Sequence, residues 1–347
     1  MDGVAKITMD RIAVMSVPYV HYSFEYFLSS MERCGYRNIE LWTGAPHFCD
    51  EDYTSLAESG RRIREMKRQM DDRGMKVICL TPEQLNYPIN IAGFEDRLRR
   101  RSIDYFTRQM EYAREFGTDK LFITSGVGLR DQPREESWKR SQESLSILAE
   151  RAGAAGITLL MEQLQPYESN LVTTCDDVER MVREVDSPYL QCCVDVVAMA
   201  VVNERLQVFF DRLPGRIRHI HLADGDPSGH YILGDGTLPI NDYIRTLEEN
   251  AYEGYVTLEI NDSIYLTDPH RALFQSSMYL KNVLNEGGKC ALQRSATIAW
   301  MSIRDSRSAI PRGTRLISPC ICGGWVCRLP LSAIPAATTT GGSCWTR

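Results

Sequence analysis

The sequence predicts an α/β protein folded as a closed (β/α)8 TIM barrel with an irregular C-terminal extension. Two patterns carry this expectation. Short β-branched runs alternate with longer stretches of helical period up to about residue 285, as repeated βα units of a parallel sheet require. Turn glycines keep the same phase: CGYRNIELW and AYEGYVTLEI each place a glycine between the end of a helix and the next strand.

In chain order the strands are expected at Arg11–Ser16, Asn38–Trp42, Lys76–Leu80, Lys120–Thr124, Thr158–Glu162, Leu190–Asp195, Ile217–Leu222 and Val256–Ile260. The helices between them are amphipathic. In SQESLSILAERAGAAG, Ser141, Leu145, Leu148 and Ala149 fall on one face, and Gly153 and Gly156 suit the stop. Eight strands fill a barrel and leave nothing for a second sheet. No GxGxxG or Walker loop argues for an open, doubly wound sheet.

At 347 residues the chain exceeds the length of about 250 typical of one barrel. The barrel is assigned to residues 1–288 and carries any catalysis. Residues 289–347 change character, with seven Arg and one Lys against the single acid Asp305, and with Cys290, Cys320, Cys322, Cys327 and Cys344 among Ser, Thr, Pro and Gly. CICGGWVC lacks the paired CxxC spacing of a zinc site, so this tail reads as a poorly ordered or non-native extension.

A net charge of −6 provides no basic footprint, which disfavours nucleic acid as a partner. The N-terminus MDGVAKITMDRIAVM has no basic region followed by a sustained apolar stretch. No window approaches the roughly 20 apolar residues of a membrane span. A cytoplasmic protein without membrane association is expected. Of the eleven cysteines, Cys34, Cys79, Cys192 and Cys193 lie in or beside apolar runs and read as buried free thiols.

Four strand-like runs end on a metal-binding or acid/base residue: Glu162 in ITLLMEQ, Asp195 in LQCCVDVV, His221 in IRHIHLAD and Glu259 in YVTLEI. An isolated acid at a strand end often just caps the next helix. Four on consecutive strands converge on one barrel mouth, and this oxygen-rich set with one imidazole suits Mn²⁺, Co²⁺ or Mg²⁺. His219 and His221 share a face of their strand, and the residue nearer the C-terminal end is the ligand. His219 lies one layer deeper, as a core imidazole or a partner of the ligand.

Loop residues add candidates for substrate binding. Glu168 in PYESN and His230 in DPSGHYILGDG follow the fifth and seventh strands, the latter in a Gly-rich segment that reads as a mobile flap. Glu40 and Trp42 close the second strand, His47 follows in GAPHF, and Glu83 follows the third. Trp42 either stacks on the apolar face of a sugar or belongs to the core, and each loop residue is alternatively a solvated side chain.

With IELWTGAPHF, LTPEQLNYPIN, MEQLQPYESN, CCVDVV, HIHLADGD, GHYILGDGTLPI and YEGYVTLEI in place, roughly residues 10–285 resemble the sugar-epimerase branch of the xylose-isomerase-like TIM-barrel superfamily. The resemblance implies a metal-dependent isomerase that inverts C3 of a ketose, or of a ketosamine such as fructoselysine, through a cis-enediolate. It implies one divalent ion held by Glu162, Asp195, His221 and Glu259. Glu162 and Glu259 then also form the acid/base pair, Glu168 contacts substrate near the carbonyl, and the protein is a homodimer or homotetramer. Ala198 and Pro227 stand where some members carry a substrate-binding histidine and arginine, which leaves room for a larger substituent near C1. An aldose–ketose isomerase or a sugar dehydratase would use the same metal site. An abasic-site endonuclease would need more histidines than the six present and a basic groove.

Overall fold

Eight parallel strands close on themselves in sequence order, β1 pairing with both β2 and β8. The computed structural model describes residues 6–84 and 88–285. The strands are β1 (Ile12–Met15), β2 (Asn38–Thr43), β3 (Lys76–Pro82), β4 (Lys120–Thr124), β5 (Thr158–Glu162), β6 (Leu190–Asp195), β7 (Ile217–Leu222) and β8 (Tyr255–Leu258). Four of the eight match the expected bounds at both ends, and the others differ by one or two residues. The tail at residues 289–347, with its five cysteines, lies outside the described residues.

The helices are α1 (Phe24–Cys34), α2 (Leu56–Asp71), α3 (Asp96–Phe116), α4 (Arg134–Ala155), α5 (Cys175–Val185), α6 (Val196–Val201), α7 (Leu206–Arg212), α8 (Ile240–Glu249) and α9 (Pro269–Asn285). Side chains at their starts accept the orphan backbone N–H groups: Ser23 from Tyr26, Ser55 from Glu58 and Thr174 from Asp177. Ser141, Leu145, Leu148 and Ala149 of α4 are all buried, as their spacing predicts. Only Gly156 of the two glycines ends that helix, with φ of +70°. Gly153 lies inside α4, where a Cβ would stand 2.5 Å from the Tyr189 ring, so it is a packing position and not a stop. Helix α9 locks back onto α1, where Ser277 Oγ donates to Cys34 O at 3.1 Å and Ser30 Oγ lies 2.8 Å from His270 Nδ1.

The barrel has two apolar regions with different roles. A large one lies between strands and helices, where Phe27, Leu28, Met31, Leu145 and Phe209 are fully buried, each worth about 1.5–3 kcal/mol of burial. A small one fills the barrel floor: Ala13, Ile78, Cys79, Phe122, Leu160 and Cys193, with Tyr255 against it. Side chains alternate along a strand, so the inward residues two places beyond Leu160, Cys193 and Thr257 are Glu162, Asp195 and Glu259. The floor therefore supports a polar layer at the C-terminal mouth. Cys34, Cys79, Cys192 and Cys193 are buried free thiols, as expected. Among the described residues no helix is long and apolar enough to cross a membrane.

Candidate active site

The parallel register decides which mouth residues meet. Asp195 pairs with His221 and Glu162 with Cys193, while Glu259 follows β8 directly with its N–H on Leu222 O. In space Glu162 Oε1 lies 2.5 Å from His221 Nδ1, and Glu259 Oε2 lies 2.9 Å from the same nitrogen. Asp195 Oδ2 is 3.4 Å from His230 Nε2, and Glu259 Oε2 is 3.7 Å from it. Glu162, His221 and Glu259 thus meet directly, and the loop residue His230 joins Asp195 to them. Asn261 Nδ2 donates to Glu259 Oε1 at 3.2 Å, which turns the other oxygen toward the histidines. Asp195 also caps α6, accepting from the N–H groups of Val197 and Ala198 at 2.9 and 3.0 Å. Its helix-capping and site-facing roles coincide.

The electrostatics of this cluster favour a cation. Burial, with the charges of Glu259 and Asp195 added and His221 opposing, pushes Glu162 up to about 8. Burial also works against ionised Asp195, but His230 and the Val197 N–H outweigh it and hold the carboxyl below its ordinary value. Burial lowers His221, yet Cys193 and the surrounding carboxylates Glu40, Glu259 and Glu162 raise it well above an ordinary imidazole. His221 Nδ1 is buried and makes no hydrogen bond, although two carboxylate oxygens lie close to it. A buried nitrogen beside two carboxylate oxygens, with Asp195, His230 and Glu259 clustered next to it, is a donor set that fits a hard divalent ion.

Beneath this layer Glu40 of β2 reaches across the barrel axis. Its Oε2 lies 2.7 Å from His219 Nε2, and its Oε1 lies 3.0 Å from His221 Nε2 while accepting from Thr81 Oγ1 at 2.6 Å. Thr257 Oγ1 closes the group 3.0 Å from His219 Nε2, and Phe122 stacks on the His221 ring at 5.2 Å between centroids. Glu40 and both histidines are wholly buried. Two imidazoles and a hydroxyl engage the Glu40 carboxylate, so Glu40, His219 and His221 form a hydrogen-bonded clamp.

The loop candidates divide. His230 is buried at the cluster, and burial, which would lower it, is overcome by Asp195 and Glu259, which raise it to about 10. Its segment is not an open flap: Asp224 and Tyr231 form an antiparallel bridge, and the Asp224 carboxylate accepts from the N–H groups of Gly225, Gly234 and Leu238. Glu168 sits at the rim, accepting from Gln165 N at 3.0 Å, and burial raises it while His230 opposes. Trp42 donates its indole N–H to Glu83 at 3.0 Å, tying the ends of β2 and β3 on the other side of the mouth. Burial raises Glu83, with this bond opposing.

His47 is not brought to the cluster. It is buried, its Nε2 lies 3.1 Å from Tyr22 O, and its ring stacks on Phe27 of α1 at 5.8 Å. The loop after β2 folds inward over α1, so the exposed position that its sequence context suggests is not adopted. Sequence reasoning placed Glu40 at the end of β2 without a role and read Cys193 only as a buried thiol, although its Sγ donates to Glu162 Oε1 at 3.8 Å, and it left out Thr81, Thr257 and Asn261. The signal for Glu40 was present: a carboxylate in the middle of the apolar run NIELW needs a buried partner.

The family model of the xylose isomerase-like TIM barrel matches residues 28–283. Over 247 residues the chain is 34% identical to fructoselysine 3-epimerase of Escherichia coli O157:H7, covering 71% of this chain and 88% of that protein. It is 25% identical over 228 residues to 3-dehydro-D-guloside 4-epimerase of Escherichia coli strain K12, covering 63% and 84%. Among solved structures, D-psicose 3-epimerase from Clostridium cellulolyticum H10 with D-tagatose superposes with a TM-score of 0.65 at 16% identity, over 79% of this chain and 99% of that one. That likeness shows the shared barrel.

Proposed function

We propose that this chain, which belongs to the xylose isomerase-like TIM-barrel family, is a divalent-metal-dependent epimerase that inverts C3 of a ketose or ketosamine, with fructoselysine as the leading candidate substrate. The relative at 34% identity supports the substrate class. One observation carries the chemistry: two carboxylates from opposite ends of the β5–β8 arc, Glu162 and Glu259, both approach one imidazole nitrogen, at 2.5 and 2.9 Å.

Inversion at C3 requires a proton to leave one face of the carbon and another to arrive on the opposite face. A single base cannot serve both faces without turning the substrate over, so two positioned carboxyl groups are needed. Glu162 takes or returns the proton on one face and Glu259 on the other, through an enediolate of the substrate. Glu162, Asp195, His221 and Glu259 would hold a divalent ion, which would supply Lewis-acid polarisation of the substrate carbonyl. Asp195 and His221 act as holders. His230 and Glu168 orient substrate oxygens from the β7 and β5 loops, and the Trp42–Glu83 pair lines the opposite rim. The buried histidine and bridged segment after β7 exclude water from the reacting centre.

The test is incubation of the protein in D₂O with fructoselysine and a panel of free ketoses, with Mn²⁺ or Co²⁺ or with chelator. Deuterium is expected at C3 of at least one substrate, together with the C3 epimer, and chelation is expected to abolish both. Exchange at C1, or loss of water, would instead mark an aldose–ketose isomerase or a dehydratase on the same site.

A further inference from the structure

Glu40 lies on the strand opposite the four mouth residues and touches no open space, so it cannot reach a substrate. Its two oxygens nevertheless meet both imidazoles of β7, at 2.7 Å for His219 and 3.0 Å for His221. We propose that Glu40 is the positioning residue of the metal centre, a buried carboxylate that fixes which nitrogen His221 presents to the ion; this rests on the metal-dependent reading above.

The geometry leaves His221 little freedom. Glu40 Oε1 lies 3.0 Å from Nε2, so that edge of the ring is engaged and the other nitrogen, Nδ1, is the one turned toward the mouth. Nδ1 is the unpartnered buried atom between Glu162 and Glu259. Thr81 donates to the same Glu40 oxygen at 2.6 Å, and Phe122 stacks on the imidazole face, so both the acceptor and the ring plane are held. Glu40 also places negative charge behind the imidazole, which strengthens it as a donor to a cation. A register bulge between Ile39 and Glu40 adjusts where β2 aims this side chain. Glu40 therefore acts through His221.

The experiment measures Co²⁺ binding to the full chain by calorimetry and visible absorption, for wild type and Glu40→Gln. Glutamine keeps the size and one acceptor but loses the charge, and it cannot accept from both imidazoles and Thr81 as the carboxylate does. We expect Glu40→Gln to bind Co²⁺ about 10–100-fold more weakly and to change the d–d absorption envelope. A residue that only supports the fold would lower thermal stability in chelator without changing that spectrum. If Glu40→Gln does not fold, Glu40→Asp is measured instead, and it is expected to weaken binding because the charge is withdrawn by one methylene. Unchanged affinity and spectrum in the folded variant overturn the inference alone. A wild-type protein that binds no divalent ion overturns the metal-dependent reading and this inference with it.

Discussion

His230 Nε2 stands 3.4 Å from Asp195 Oδ2, joining the loop after β7 to the end of β6. The contact depends on a loop whose shape is set elsewhere, by the carboxylate of Asp224 and its three backbone N–H donors. A Cβ on Gly236 would stand 2.3 Å from Asp224 Oδ1 and 2.4 Å from Gly225 O, so the turn packs tightly around that carboxylate.

Asp224→Ala should therefore release residues 225–238 while leaving the barrel folded. Each hydrogen bond to a charged group contributes about 1.5–3 kcal/mol, so faster hydrogen exchange is expected within the loop and not in the strands. Because His230 loses its place, KM for the sugar should rise more than kcat falls. Unchanged loop exchange would show that Asp224 does not hold the segment.

Glu162→Gln and Glu259→Gln should each lower epimerisation by about 10²–10⁴-fold, the usual worth of a positioned acid or base. If the two carboxyl groups serve opposite faces, each variant retains slow solvent exchange at C3 of one epimer, and the two variants differ in which epimer. Mass spectrometry of both epimers in D₂O reads this. Identical exchange patterns would argue for a single base.

His47 gives a stability prediction away from the site. Burial, with Arg62 adding to it and the bond to Tyr22 O opposing, depresses this imidazole to about 4. Between pH 4 and the unfolded value near 6.5, the unfolded chain binds more protons than the native one, so stability rises with pH in that window. Acidification from pH 7 to pH 5 should cost about 2 kcal/mol from this group. His47→Gln should flatten that part of the profile in urea denaturation at a series of pH values.

The barrel was legible in the sequence because strand and helix periods are local. The apolar runs that ended on Glu162 and Asp195 also marked where those strands stop, and the inward face followed from alternation. Gly156 was read correctly as a helix stop, whereas Gly153 was not, because Tyr189, which fills the space over it, lies 36 residues later in the chain. The Gly-rich segment around His230 suggested mobility, and a carboxylate six residues before it, Asp224, decided otherwise.

The sequence by itself determined the strand order, the closed sheet and the side of the barrel on which four polar residues emerge. Tertiary structure decided which of them touch and what lies behind them. Glu40 meets His219 and His221 across separations of 179 and 181 residues, and His47 turns from the mouth to pack on Phe27. A periodic pattern reports the face on which a side chain lies. It does not report which strand stands opposite, and in a closed barrel the buried charges are paired across that gap.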